Sequence, residues 1–422
     1  MHCKYLIIGN SVGGVAASEA IREIDKVGKI VMVSEEPHRV YSRALIPYFI
    51  AGRIDLEKMY YRDANFYEKN DILPFLGKKV IKIDFKDRKA EMEDGCKIGY
   101  KKLLLATGAA PFIPQMKGLD KERPKDGFFT FSSLDDAMKI KKKIESGIAE
   151  RAAVLGGGLT GLMAAEALAE NGIEVTVVEL AGSLLPGVLD ETASHLVEEH
   201  LEEKSLKIST GRRIVEVVGE ESVETAVLDD GTILPCDLLI IGAGVRPRVE
   251  LARDTGVRVN RGIVVDRRMR TSVNDVYACG DCAEDYDFLQ GDFRLLPIWP
   301  TAYAGGRVAG FNMCGVEREY RWGTNMNSMH FFGLRIIVAG SITENGDDEV
   351  FKKICGDGNY RRIALKDDRV VGMILMNEIE GAGVLLNLMR AGINVKSFKE
   401  ELLSNDFGLI SLPEKLRQEI MT

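Results

Sequence analysis

A glycine-punctuated segment occurs twice in this chain, each time in the same context. Ile8-Gly9-Asn10-Ser11-Val12-Gly13-Gly14-Val15-Ala16-Ala17-Ser18-Glu19-Ala20 is echoed by Leu155-Gly156-Gly157-Gly158-Leu159-Thr160-Gly161-Leu162-Met163-Ala164-Ala165-Glu166-Ala167. In both copies a short apolar run precedes the glycines and an alanine-rich stretch of helical period follows. A strand, a tight turn and a helix N-terminus are therefore implied twice. A second echo keeps the same order: Leu103-Leu104-Leu105-Ala106-Thr107-Gly108-Ala109-Ala110-Pro111 is similar to Leu239-Ile240-Ile241-Gly242-Ala243-Gly244-Val245-Arg246-Pro247. Two opening turns and two closing strands predict an α/β chain with two copies of one nucleotide-binding unit.

The chemistry follows from what a diphosphate needs. Its negative charges require unsatisfied amides, which a helix N-terminus supplies together with the positive end of the helix dipole. The first glycine makes the turn, the second admits backbone to the phosphate, and the third lets helix pack on strand. Gly156, Gly158 and Gly161 meet this pattern in full, with Leu159 and Thr160 opening the helix and Gly244 on the closing strand. Glu179 ends the strand-like Val175-Thr176-Val177-Val178, where a carboxylate can bind the adenosine ribose and repel a 2′-phosphate. Leu180, Ala181, Gly182 and Ser183 bring no basic group, so NADH is expected rather than NADPH. In the first copy Gly9 and Gly14 hold, Val12 and Gly13 open the helix, and Ser11 stands at the second glycine, offering a hydroxyl instead. Glu35, after Ile30-Val31-Met32-Val33-Ser34, is the favoured ribose acid and Glu36 the other candidate; either could equally be a solvated loop charge.

At 422 residues, two or three domains are expected. The formal charge is −8 with acids spread along the chain, which is no footprint for nucleic acid. No apolar run reaches membrane-spanning length, and the apolar run after Met1-His2-Cys3-Lys4 is too short for a signal-peptide core. Seven cysteines, odd in number and scattered, do not form a disulfide framework. A cytoplasmic protein with reduced thiols is expected.

Three further stretches carry a family resemblance: Ala106-Thr107-Gly108, Tyr41-Ser42-Arg43-Ala44-Leu45-Ile46-Pro47, and Thr271-Ser272-Val273-Asn274-Asp275-Val276-Tyr277-Ala278-Cys279-Gly280-Asp281. With the glycine turns, they make roughly residues 4 to 335 resemble the pyridine nucleotide-disulfide oxidoreductase superfamily. The rubredoxin reductases, NADH oxidases and flavin-binding parts of NADH-dependent nitrite reductases are the nearest in type. The resemblance implies FAD at the first unit, NADH at a second unit inserted into it, and a C-terminal domain that mediates homodimerisation. It implies that Asp281 binds the ribityl and pyrophosphate region, with Gly280 allowing close approach. Ala106, Thr107 and Gly108 would pass beside FAD, Val80 would offer backbone to its adenine, and Arg43 would lie near the isoalloxazine edge, where arginine cannot lose its charge. Asp281 could also serve as an N-cap before Cys282-Ala283-Glu284. Pro300 suits a first helical position; Ala302, Ala304, Val308, Ala309 and Phe311 would give that helix a buried face. In relatives its N-terminus points at the flavin, and Trp299 can also be read as core packing.

Disulfide reductases of this superfamily carry a redox cysteine after the first β-α-β unit, whereas no cysteine lies between Cys3 and Cys96 here. Flavin alone is expected to carry the chemistry. Cys279-Gly280-Asp281-Cys282 spells C-x-x-C, but it straddles the expected ribityl site, and no second pair makes a zinc site. No cysteine cluster suits an iron–sulfur centre. Met163 stands where relatives place a nicotinamide-proximal glutamate, which leaves Arg43 without that expected carboxylate; the family's catalytic His-Pro pair is absent at Met329-His330-Phe331-Phe332.

The expected partition is FAD-binding at 1–112 and 242–320, NAD-binding at 113–241, and a C-terminal interface domain at 321–422, with Pro114 to Asp126 as the first linker. Tyr360 to Leu375 reads as a hairpin around Asp367-Asp368, and Gly383 to Ala391 as a helix packed through Leu385, Leu388 and Met389. The expected function is an NADH:acceptor oxidoreductase that passes electrons to a small iron–sulfur protein, a partner enzyme or O₂. The competing reading is a non-catalytic flavin- and NAD-binding scaffold subunit.

Overall fold

Tyr5, Leu6, Ile7 and Ile8 are buried without interruption, the mark of a strand covered on both faces. In the computed structural model, which describes residues 1–120, 124–342, 348–356 and 358–421, this is β1 (His2–Ile8), followed by α1 (Val12–Ile24) and β2 (Ile30–Ser34). β3 (Ile72–Leu76), β4 (Val80–Asp84), β5 (Lys89–Met92) and β6 (Lys97–Leu105) complete the order β3-β2-β1-β6-β5-β4. Strands β3, β2, β1 and β6 run parallel, while β5 and β4 form an antiparallel edge.

The second parallel sheet comprises β7 (Phe128–Thr130), β8 (Arg151–Leu155), β9 (Glu174–Glu179), β10 (Lys207–Thr210) and β11 (Leu238–Ile241) in the order β10-β9-β8-β11-β7, with α2 (Leu159–Ala169) between β8 and β9. The two glycine turns thus open two Rossmann-like sheets of an α/β protein. Returning to the first sheet, β12 (Val276–Ala278) pairs parallel with β6, and α3 (Trp299–Met313) begins with proline in its first turn.

Contacts group Met1–Phe49, Ile54–Ala110 and Val245–Thr324 into one compact unit, and Ile50–Arg53, Pro111–Gly244 and Asn325–Thr422 into another. Residues 121–123 of the expected linker lie outside the described residues. The end of the chain forms an antiparallel sheet of β13 (Met326–Phe331), β14 (Leu334–Gly340), β15 (Glu349–Cys355), β16 (Asn359–Lys366) and β17 (Arg369–Met376), in the order β13-β14-β17-β16-β15. The β16–β17 hairpin turns at Asp367 and Asp368, whose φ values of 51° and 57° are both positive, as the tightest two-residue hairpins require. α4 (Ala382–Ala391) buries Leu385, Leu388 and Met389. Among the described residues, no helix is long and apolar enough to cross a membrane.

The buried face of α3 differs from expectation. Ala302 and Ala309 are buried, but Ala304, Val308 and Phe311 are only partly covered; the face instead runs through Thr301, Gly305, Gly306, Gly310 and Met313. An added Cβ at Gly306 would stand 2.2 Å from the Gly13 carbonyl oxygen, and one at Gly310 would stand 2.5 Å from that of Ala17. Two helices are in backbone contact here, which selects for missing side chains rather than apolar ones. Gly306→Ala is therefore expected to destabilise the protein by about 2 kcal/mol or more. Gly383→Ala in α4, where an added Cβ meets nothing within 4 Å, should change stability by less than about 1 kcal/mol. Denaturant midpoints of the two variants test the contrast.

Candidate dinucleotide sites

In the first unit the chain leaves β1 through Gly9, whose φ of +124° and missing Cβ let the Ala106 carbonyl oxygen come within 2.0 Å of the position a Cβ would take. A Cβ at Gly14 would similarly stand 2.1 Å from the Gly9 carbonyl oxygen. The turn thus cannot be built with side chains at 9 and 14. Ser11 is the N-cap of α1, yet its side chain makes no capping hydrogen bond, so it leaves the first-turn amides to another acceptor. Val12 and Gly13 are buried, and an added Cβ at Gly13 would stand 3.0 Å from Cys279 Sγ. Gly280 has φ of +73° and packs its Cα face toward Ala302. These elements bring Gly9, Ser11 to Gly14, Ala106, Gly280, Asp281 and Ala302 around one cradle. It fits a dinucleotide diphosphate: amides without side chains, at a helix N-terminus, beside a short carboxyl.

Asp281 is not a helix N-cap. Cys279 takes that position before the short turn Gly280–Cys282, and the strand Ala283–Asp287 follows rather than a helix. Burial pushes the Asp281 carboxyl above its ordinary value, against the opposing charge of Arg43. An acid so placed gains from hydroxyl donors such as those of a ribityl chain. The Thr107 hydroxyl donates to the Arg248 carbonyl at 2.8 Å, and the Gly108 carbonyl accepts from Arg248 N at 2.9 Å. Val80 is buried where β4 begins. Trp299 is partly buried, with its ring edge-on to Tyr61 at 5.1 Å; the Tyr61 hydroxyl is itself buried without a hydrogen-bond partner.

Both candidate ribose acids are engaged. Glu35 Oε2 lies 2.6 Å from Arg248 Nη1 and Oε1 lies 3.0 Å from Lys79 Nζ. Burial pushes its carboxyl up, but the hydrogen bonds from Lys79 and Arg248 outweigh this and hold it below its ordinary value. Glu36 pairs with Arg43 and accepts from the Tyr41 hydroxyl at 2.5 Å. Arg43 therefore has a carboxylate after all, because the loop leaving β2 folds back through Tyr41 and brings residue 43 to residue 36. Sequence reading missed Lys79 and Arg248. The only signal for Arg248 was its position just after the second echo.

The second unit repeats the turn more strictly. Gly156 has φ of +115°, and an added Cβ would stand 2.5 Å from the Gly242 carbonyl oxygen; one at Gly161 would stand 1.8 Å from that of Gly156. Gly158 is the N-cap of α2, Leu159 begins the helix, and Thr160 is exposed on it. Gly244 is exposed with φ of +92°, and its carbonyl accepts from Phe112 N at 2.9 Å. Glu179 is buried, accepting from Gly157 N at 2.6 Å and from Ala181 N at 2.7 Å. Its carboxylate thus shapes the glycine loop while keeping lone pairs for ribose hydroxyls. Leu180, Ala181, Gly182 and Ser183 carry no basic side chain; the nearest basic residue tied to this strand end is Arg212, whose backbone N donates to the Glu179 backbone carbonyl at 3.0 Å from the loop after β10. Met163 is partly covered on α2, in a different unit from Arg43.

Residues 3–306 match the family "Pyridine nucleotide-disulphide oxidoreductase", and residues 326–393 match "Rubredoxin NAD+ reductase C-terminal domain". The chain belongs to the pyridine nucleotide-disulphide oxidoreductases. It is 34% identical over 413 residues to the epsilon subunit of the NADH-dependent phenylglyoxylate dehydrogenase of Aromatoleum evansii, covering 97% of this chain and 96% of that one. It is 28% identical to the NADH-rubredoxin oxidoreductase of Clostridium acetobutylicum over 90% of both chains. The solved NAD-dependent persulfide reductase of A. fulgidus superposes with a TM-score of 0.85 at 27% identity, covering 95% of this chain and 79% of that one. The protein is thus an NADH-dependent flavoprotein oxidoreductase using FAD and NADH.

Cys279 and Cys282 are free and buried, and burial pushes both thiols up, which makes them poor nucleophiles. Among the described residues no group of three or more side chains could hold a metal. Cys279→Ala with Cys282→Ala should leave FAD content and NADH-driven turnover largely intact; lost turnover at full flavin loading would show a thiol role.

Below this layer lies Asp285, fully buried, with neither carboxylate oxygen hydrogen-bonded. Its Oδ1 would stand 3.7 Å from a Cβ added at Gly305. Burial, and then the charge of Asp281, push its carboxyl well above the ordinary value. A raised acid stabilises the fold below its unfolded pKa, and that contribution is lost as pH rises through the folded pKa. Asp285→Asn should therefore be more stable than the parent at neutral pH, by roughly 1–3 kcal/mol, with the gain shrinking toward pH ~4. Urea unfolding across that range measures it; a gain independent of pH would show that Asp285 is not the titrating group.

Proposed function

We propose that this chain is the NADH-reading component of an electron-transfer pair, delivering electrons to a separate redox protein rather than to a disulfide. The carrying observation is the combination of two glycine turns at helix N-termini with a first unit whose nearby thiols, Cys279 and Cys282, are free and buried, burial pushing both thiols up. Bound FAD supplies a ring that accepts a hydride and releases electrons singly or in pairs. The chain's own residues do the rest. The turns at Gly9 and Gly156 present amides to diphosphates, Glu179 selects and seats the adenosine ribose, and Asp281 offers its carboxyl to ribityl hydroxyls. The full-length similarity to a subunit of a larger NADH-dependent dehydrogenase supports a partner enzyme as acceptor; the rubredoxin reductase-type C-terminal match supports a small iron–sulfur protein.

Anaerobic titration with NADH should bleach the flavin at about one equivalent per chain, and an oxidised rubredoxin- or ferredoxin-type protein should then restore its colour faster than air does. A flavin that binds NADH without bleaching would favour the scaffold reading. Reoxidation by O₂ outpacing every protein acceptor would make the chain an oxidase instead.

A further inference from the structure

The edge of the NADH unit holds an arginine that neither the glycine loop nor the family motifs account for. Strand β10 lies beside β9, with Thr210 in register with Glu179. The next two residues are stitched to the loop around that acid: Gly211 N donates to the Ala181 carbonyl at 2.7 Å and Arg212 N to the Glu179 carbonyl at 3.0 Å. Arg212 thus starts within one side-chain length of the carboxylate that seats the ribose. Its side chain is 45% exposed, and its Nε lies 2.8 Å from Asp230 Oδ2. Asp230 is itself fixed, its Oδ1 accepting from Thr232 N at 2.9 Å. The neighbouring pair repeats the arrangement more loosely, Arg213 Nε lying 3.6 Å from Asp229.

We propose that Arg212 and Asp230 form a second selectivity element of the NADH site, in which Arg212 is the cation that meets a nucleotide 2′-phosphate and Asp230 holds it away. Glu179 disfavours the phosphate by charge and by occupying the ribose edge. Asp230 engages a guanidinium that the Gly211–Arg212 stitch starts close enough to offset that repulsion. Releasing Arg212 provides a charge-assisted fork suited to phosphate oxygens. The 2′-hydroxyl of NADH has no comparable use for it.

The test uses the full-length FAD-loaded chain and equilibrium titration with NAD⁺ and NADP⁺, so that binding rather than turnover is read. Asp230→Asn, which keeps an acceptor for Thr232 N, should lower the ratio of NADP⁺ to NAD⁺ dissociation constants by about tenfold at low salt, with the effect fading as salt screens it. The gain should vanish in the double variant Asp230→Asn with Arg212→Gln. A ratio unchanged in Asp230→Asn, or a gain that survives removal of Arg212, overturns the proposal. Thermal melting of Asp230→Asn checks the fold. Should it unfold, Asp230→Ser carries the test in its place: the ratio must fall there too and the fall must vanish with Arg212→Gln, and no change overturns the proposal. Failure of the parent to bind NAD⁺ would remove the nucleotide site itself, and this element with it.

Discussion

The fold depends on backbone meeting backbone at two turns. The space a side chain would take at Gly14 holds the carbonyl of Gly9, and that at Gly161 holds the carbonyl of Gly156, at 2.1 and 1.8 Å from the position of a Cβ. That contact presses each helix onto its own strand and aims the helix N-terminus where a diphosphate can sit. In the first unit the constraint continues outward: Gly306 of α3 closes on the carbonyl of Gly13, so the same loop is held from both sides. A methyl group in this stack would shift the cradle itself, not only the packing behind it.

Local chemistry was legible wherever it was written in consecutive residues. The turns at Gly9 and Gly156 announced themselves through glycine spacing, the β16–β17 hairpin through Asp367-Asp368, and α4 through Leu385, Leu388 and Met389 at helical period. The face of α3 was misread because a search for apolar residues passes over Gly305, Gly306 and Gly310, whose value lies in what they lack. The environments of Glu35 and Glu179 were illegible for a different reason. Arg248 reaches Glu35 across 213 positions of sequence, and Arg212 reaches the Glu179 backbone only because β10 pairs with β9. Neighbouring loops of a parallel sheet come from distant segments, so their electrostatics cannot be read along the chain.

At Asp281 the local structure differs from what consecutive residues suggest. The Cys279-Gly280-Asp281 stretch does bring a carboxyl to the cradle, but it does so on a single tight turn leading into a strand. The helix needed for an N-cap is not there. Cys279 and Cys282 then lie behind the turn among buried atoms, where burial keeps them protonated, and Asp285 extends that acidic, solvent-free layer. Negative charge developing nearby would be costly in such a layer, which makes Arg43 and the N-terminus of α3 the natural counterweights in the first unit.

The two acids that end β2 and β9 are gripped in unlike ways, and the difference bears on time. Glu35 is clasped by two long cationic side chains, Lys79 and Arg248, each free to turn about several single bonds. Glu179 is held by two backbone amides, which stay put whether or not a nucleotide is present. A fixed cup of this kind changes little between empty and full, so a guest can enter and leave with little rearrangement. A hydroxyl that comes to Glu35 must instead compete with two cations for the same oxygens. One chain thus ends two equivalent strands in acids of unlike readiness, one already bargaining with side chains and one set in place by its backbone.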